Sequence, residues 1–276
     1  MFKTIASTLF GAALLCAQSN GISGVWKADL QKSKLPGPPL KDYVEIIEQS
    51  GPKITETSAS FGEHGEQRSV LIFETDKPAV NPYQGVPTRL TASWEGSTLN
   101  LTAETAGRPD VMKKKYELSA DGQTLTISSD ATMNGHQRQS TLVLLKQPDS
   151  AGDAVRKPEA SAEEHFKNVK TDLKALPTSE FIDNMRYFAW ALGKDCEFCH
   201  VRGHFDSDDK KEKKTARDMI AMMESIDKEN FKGKPEVRCF TCHEGHEKPF
   251  SRPLFSGEPE PSHEHEEAAA QTPKGQ

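Results

Sequence analysis

Cys196-Glu197-Phe198-Cys199-His200 and Cys239-Phe240-Thr241-Cys242-His243 are two copies of one pattern, Cys-x-x-Cys-His. Two thiols at this spacing can form thioethers to the two vinyl groups along one edge of a porphyrin. The His that follows is then carried beneath the ring, where its imidazole can bind iron; this is the attachment signature of c-type haem. Three other chemistries compete. A redox disulfide favours the start of a helix in a βαβ unit, which this region lacks. A zinc module of four cysteines usually has a spacer of ~15–20 residues between its cysteine pairs, whereas 39 residues separate Cys199 from Cys239. Plain disulfides are the third. None of these uses the trailing His, which occurs twice. The expectation is two covalently bound haems c, attached through Cys196, Cys199, Cys239 and Cys242, with His200 and His243 as axial iron ligands.

What fills the opposite side of each iron decides between electron transfer and catalysis. Met185 lies eleven residues before Cys196, and Met219 lies twenty before Cys239. Met222 and Met223 are further candidates that spacing leaves open, and a Met on an apolar helix face is more often core filling than a ligand. His204 and His246 also lie near the motifs and read as solvent-exposed. The elements that must carry these side chains are helical. Thr178 or Ser179 caps a helix whose Phe181, Met185, Phe188 and Leu192 share one face, with Gly193 as its stop. A second helix runs from about Lys213 to Lys228, with Ala216, Met219, Ile220, Met223 and Ile226 on one face, closed by Gly233 and Pro235. The cluster Lys210, Lys211, Lys213 and Lys214 reads as a solvated helix face, with a docking patch for an acidic redox partner as the competing view.

The preceding half has a two-residue rhythm. Tyr43 and Glu45 alternate with Val44 and Ile46, Leu99 and Leu101 with Asn100 and Thr102, and Leu142 and Leu144 with Val143 and Leu145. With turn signals at Glu95-Gly96, Asp121-Gly122 and Asn134-Gly135, this predicts eight or nine short strands in a closed or nearly closed antiparallel barrel. Its opening Gly24-Val25-Trp26 resembles the start of lipocalin-like barrels, in which the Trp plugs one end. No titratable constellation stands out here; His64 and His136 read as surface residues. A barrel that binds a small apolar ligand therefore ranks low.

Residues 1–17 read as an export signal: Lys3, an apolar run from Ile5 to Leu15, and a cleavable Leu15-Cys16-Ala17. Cys16 is either removed with it or bears a lipid. Export implies a periplasmic protein in an oxidising compartment. The predicted organisation is a signal peptide (1–17), a β-barrel (21–148), a linker (149–163), a dihaem domain (164–250) and a disordered tail (251–276) that carries His263 and His265. With 276 residues, 35 basic and 41 acidic, the net charge is −6. That dispersed acidic balance excludes a nucleic-acid binder, and no internal apolar run reaches the ~18–20 residues of a membrane span. Membrane association would follow only from a lipid on Cys16.

From about residue 166 to 249 the chain resembles the tetrahaem cytochrome c subunit of bacterial photosynthetic reaction centres. The resemblance rests on Phe181-Ile182-Asp183-Asn184-Met185 ahead of the first motif, and on Ala216-Arg217-Asp218-Met219 ahead of Val237-Arg238-Cys239-Phe240-Thr241-Cys242-His243-Glu244-Gly245. It implies helix–turn–motif units in which Met185 and Met219 are the distal ligands and Met222 and Met223 are core. The departures are two motifs in place of four, no His between Met219 and Cys239, and a β half without counterpart. The reading is an exported dihaem c-type cytochrome that transfers single electrons between partner proteins and is not an enzyme. A dihaem peroxidase or a haem-based sensor with a displaceable distal ligand is the alternative.

Overall fold

The computed structural model describes residues 21–62, 65–133 and 135–252. The expected leader with Cys16, His64, and the tail from 253 onward with His263 and His265 lie outside the described residues. The chain divides into two compact units, residues 1–160 with 177–182, and residues 161–176 with 183–276. The fold is α+β: an antiparallel barrel followed by a small helical unit.

Among the described residues the barrel has ten strands: β1 (Gly24–Ala28), β2 (Asp42–Ser50), β3 (Lys53–Gly62), β4 (Gly65–Glu74), β5 (Ala79–Tyr83), β6 (Val86–Glu95), β7 (Thr98–Thr105), β8 (Val111–Leu118), β9 (Thr124–Met133) and β10 (His136–Gln147). They run in the order β4-β3-β2-β1-β10-β9-β8-β7-β6-β5, so sequence neighbours pair at every step but β4 to β5, and β10 returns to β1. The two end strands are β4 and β5. The Asn81 side chain of β5 bridges them by donating to the Ile72 carbonyl at 2.8 Å. The barrel is nearly closed, as expected, with more strands than the rhythm suggests. The short β5 holds Pro82 and turns into β6 through Gln84-Gly85, both at positive φ (51° and 77°). A two-residue turn of this kind matches strand twist, but Gln84 gives no sequence signal for it.

Inward positions build one apolar core. Trp26, Ile47, Ile54, Phe73, Leu99 and Leu125 are fully buried in it, and Trp26 Nε1 donates to the Ile22 carbonyl at 3.0 Å. Alternation separates two faces without saying which is inside. On β2 the outward Val44 and Ile46 are nonetheless buried, together with Val25 and Ala59, because Val155 covers them. Val155 belongs to α1 (Asp153–Arg156), which follows a 3-10 turn at Asp149–Gly152. The segment that reads as a linker thus begins as a lid on the outer face of β1–β3. Arg68 of β4 fastens it, donating to the carbonyls of Val155 at 2.9 Å and Lys157 at 2.6 Å, where a helix C-terminus leaves acceptors open.

The alternate inward positions correct the expectation that the β half lacks a titratable constellation. Tyr43 and Glu45 of β2, Glu56 and Ser58 of β3, Ser69 of β4 and Lys114 of β8 line an internal cavity of about 210 Å³. Glu45 and Glu56 are 2 % and 3 % exposed. Each sits in a strand that reads as half-solvated, and only closure brings β8 across to face β2 and β3.

The helical unit contains α2 (Ala162–His165), a 3-10 turn at Asp172–Ala175, most of α3 (Thr178–Ala191), α4 (Cys196–Cys199), α5 (Lys211–Asn230) and α6 (Cys239–His243). No described helix is long and apolar enough to cross a membrane. Thr178 and Ser179, the expected caps, are instead the first two residues of α3: the Thr178 hydroxyl donates to the Ala160 carbonyl at 2.8 Å, and Glu159 accepts from the Ser179 N–H at 2.8 Å. The helix ends in paired bonds from Gly193 N–H to the Trp190 carbonyl (3.1 Å) and from Lys194 N–H to the Ala189 carbonyl (2.9 Å). This capping pattern favours a left-handed residue, which Gly193 provides at φ 65°.

Candidate functional site

Both Cys-x-x-Cys-His segments fold as single helical turns, α4 and α6, each with its own start signal. Asp195 caps α4 by accepting from the Phe198 N–H at 3.1 Å. At α6 the Thr241 hydroxyl accepts from the Arg238 N–H at 3.0 Å. The four cysteines are free, with Cys196 and Cys242 exposed and Cys199 and Cys239 half-buried. Burial pushes the thiols of Cys199 and Cys239 up from their ordinary range, so both are held as neutral thiols. Among the described residues no three Cys, His, Asp or Glu side chains gather as a metal ion would require. The single zinc module therefore has no assembled donor set.

The two histidines share one geometry. His200 Nδ1 lies 2.9 Å from the Phe205 carbonyl, and His243 Nδ1 lies 3.0 Å from the His246 carbonyl. A carbonyl only accepts, so Nδ1 carries the proton in both rings and the Nε2 lone pair is left for a metal. Burial also lowers the proton affinity of His200, seconded by the charges of Lys213, Arg217 and Lys210, which favours the neutral ligand form.

Each turn is pinned by groups the motif itself does not reveal. The Phe205 carbonyl that receives His200 also accepts from Lys213 Nζ at 2.8 Å, and Lys213 reaches the Ser207 carbonyl at 2.8 Å as well. Lys213 is 9 % exposed, so within the lysine cluster it is a buried brace and not part of a solvated face. Beside it Asp208 gathers Lys170 at 2.7 Å and Arg217 and Asn168 at 2.9 Å. The Lys170 bond leads in holding its carboxyl well below the usual range. At the second turn the Phe240 ring stacks on Trp190 at 4.5 Å, and the Phe240 N–H donates to the Tyr187 hydroxyl at 3.4 Å. The Gly245 N–H bonds the Ala191 carbonyl at 2.9 Å. The approach to α6 is set by buried Asp227 of α5, whose carboxylate accepts from Glu236 N–H at 3.2 Å and Val237 N–H at 2.9 Å. Asp227 lies in the last turn of α5 and carries no local signal of this role; Lys213 was hidden among like residues.

Met185 of α3 is half-buried, and Met219 of α5 is 40 % exposed. Met222 is 49 % exposed, contrary to the expectation that it is core. His204 is exposed, whereas His246 is half-buried and packs against Phe250 at 4.4 Å. Among the described residues of this unit the buried apolar side chains are Ala162, Trp190, Ala191 and Ile220, while Phe205, Phe231 and Phe240 join Met219 and Met222 as exposed large apolar groups. A helical domain with so thin a core needs another apolar body to pack on. Two flat porphyrins held at α4 and α6 fit that need and the donor set.

The family model for the photosynthetic reaction centre cytochrome C subunit matches residues 108–276, more than half of the chain. A curated relative, the photosynthetic reaction center cytochrome c subunit of Thermochromatium tepidum, is 31 % identical over 119 residues, covering 41 % of this chain. The chain spans only 29 % of that relative's length. Solved structures similar to it include an abundant heat soluble (SAHS) protein of Ramazzottius varieornatus, with 12 % identity and a TM-score of 0.37 over 45 % of this chain and 94 % of the other. Zebrafish ileal bile acid-binding protein, solved with cholic acid, has 18 % identity and a TM-score of 0.35 over 46 % and 98 %. Fatty-acid-binding protein 1 of Echinococcus granulosus has 12 % identity and a TM-score of 0.34 over 46 % and 97 %.

Proposed function

Because the chain belongs to the photosynthetic reaction centre cytochrome c subunit family, a family of haem-binding electron-transfer proteins, we propose that it is an exported, periplasmic dihaem cytochrome that passes single electrons between redox partner proteins. The observation that carries this reading is the repeated imidazole geometry, with Nδ1–H of His200 and of His243 tied to a backbone carbonyl and Nε2 left free. Cys196 and Cys199 would hold one haem c, and Cys239 and Cys242 the other. Bound there, each haem supplies a reversible one-electron couple at iron.

The chain's own residues set the terms of that couple. The carbonyls of Phe205 and His246 fix the tautomer and the ring orientation of the two histidines, and so raise their basicity as ligands. Met185 and Met219 are the proposed ligands on the opposite faces; a Met opposite a His raises the potential. A His/Met pair leaves no open position for substrate, which favours electron transfer over a peroxidase or sensor role.

The test is an intact mass and a pyridine haemochrome spectrum of protein matured in an export-competent host. Two covalent haems per chain are expected, with one lost in Cys199→Ala and the other in Cys242→Ala. The weak sulfur-to-iron absorption band should fall by about half in Met185→Ala and again in Met219→Ala. A colourless protein overturns the reading, and carbon monoxide binding to the untreated ferrous form moves it to the peroxidase or sensor class.

A further inference from the structure

The barrel cavity plays no part in the haem reading, yet it is built as a site. Two carboxylates face one ammonium. Lys114 Nζ engages Glu56 Oε2 at 3.2 Å and lies 5.7 Å over the Tyr116 ring. Glu56 Oε1 has no hydrogen-bond partner although its side chain is only 4 % exposed. A buried acceptor left open in this way costs free energy unless a ligand or water completes it. The Tyr116 hydroxyl, fully buried beside Glu56, also lacks a bond of good geometry. The Tyr43 hydroxyl donates to Glu45 Oε2 at 3.1 Å. Ser58 and Ser69 add hydroxyls, and Tyr83 and Gln84 line the part that reaches the β5–β6 turn. Strands β4 and β5, which share no backbone ladder, both contribute to the lining and provide the way in.

We propose that this cavity binds a compact organic cation, a protonated amine whose N–H groups lie between the carboxylates of Glu45 and Glu56. Its volume of about 210 Å³ accommodates a compact ligand. An anion would meet the Glu56 carboxylate, and the one ammonium there, Lys114, is already engaged by it. A cation supplies the donor that Glu56 Oε1 lacks and the charge that a second buried carboxylate needs. The cation takes the place of a proton. Glu45 is faced by Tyr43 of its own strand, by Glu56 and Ser58 from β3, and by Lys114 from β8. Burial first, and Glu56 next, push its carboxyl up to about 8. At neutral pH it is protonated, and on ligand entry that proton leaves Glu45 for the buffer while the amine keeps its own.

The experiment is calorimetric titration of the full chain at pH 7 with three probes of matched size: tyramine (cation), tyrosol (neutral) and 3-(4-hydroxyphenyl)propionate (anion). Repeating it in buffers of different ionisation enthalpy counts protons. Tyramine is expected to bind with release of close to one proton, and the anion not to bind. Glu45→Gln, a neutral isostere, should weaken tyramine about tenfold or more and abolish the proton release. Ser69→Leu, which fills the cavity and leaves both carboxylates, should abolish binding. The proposal is overturned if tyrosol or the anion binds as well as tyramine, if tyramine shows no saturable heat at millimolar concentration, or if Ser69→Leu leaves binding unchanged.

Discussion

Glu45 gives stability a pH dependence opposite to that of a salt-bridged carboxylate. Its carboxyl titrates at about 8 in the fold and at its ordinary 4.5 when unfolded. Between those values the native state holds the extra proton, so this contribution is whole below about pH 4.5 and declines as pH rises toward 8. Glu45→Gln has no such proton to lose. Urea midpoints measured at pH 5, 6.5 and 8 should fall for the wild type relative to the variant, which at pH 8 is the more stable by on the order of a few kcal/mol. Lys213 acts at the same scale. Its ammonium shares the Phe205 carbonyl with His200, so Lys213→Met should cost about 1–3 kcal/mol and shift the potential of the first haem more than that of the second, as read by potentiometry.

At the level of elements, the join between α3 and the second motif is tight. A Cβ on Gly193 would stand 2.0 Å from the Gly245 carbonyl oxygen, at a φ of 65° that L-residues avoid. Gly193→Ala should displace α6 and lower haem loading at Cys239 and Cys242, seen as loss of one haem by mass, with the first site retained. Gly193 was legible as a helix stop because capping chemistry is local. The start of α3 was legible in place but not in mechanism, because Glu159, twenty residues earlier, accepts from the Ser179 N–H where Thr178 or Ser179 was expected to cap. Less was readable in α5, where the apolar stripe of Ala216, Met219, Ile220, Met223 and Ile226 is plain in sequence but only Ile220 is fully buried. Periodicity reports which residues share a face, not what covers that face. The same limit hid the barrel's polar interior, since Glu45 alternates with Val44 and Ile46 and reads as the wet side. The motifs gave the four cysteines and the two histidines directly, and Met185 and Met219 came only from the family resemblance; the carbonyls and the Lys213 and Asp227 braces depend on contacts that the motifs do not encode.

Across the whole molecule, the two units differ in what sustains them. The barrel carries a continuous apolar core, whereas the helical unit covers Ala162, Trp190, Ala191 and Ile220 and leaves Met219, Met222 and Phe205 open. Full-length protein made in a host without haem attachment should therefore keep its strand signal in circular dichroism and lose helical signal. Hydrogen exchange should be fast through α3 and α5 and slow through β1, β2 and β7–β10. At the seam the barrel has a weakness of its own. β4 and β5 each pair on one side only, and Val70, Ile72 and Val80 stand exposed on them. Two such rows of unclaimed amides and carbonyls are a template for a stray strand from another copy, blunted on β5 by Pro82, which has no N–H to offer. The Asn81 amide occupies the Ile72 carbonyl, one of the places where a foreign strand could begin to add. Asn81→Ala would free that acceptor, and the protein should then cluster on concentration, with light scattering rising at loadings where the parent stays clear.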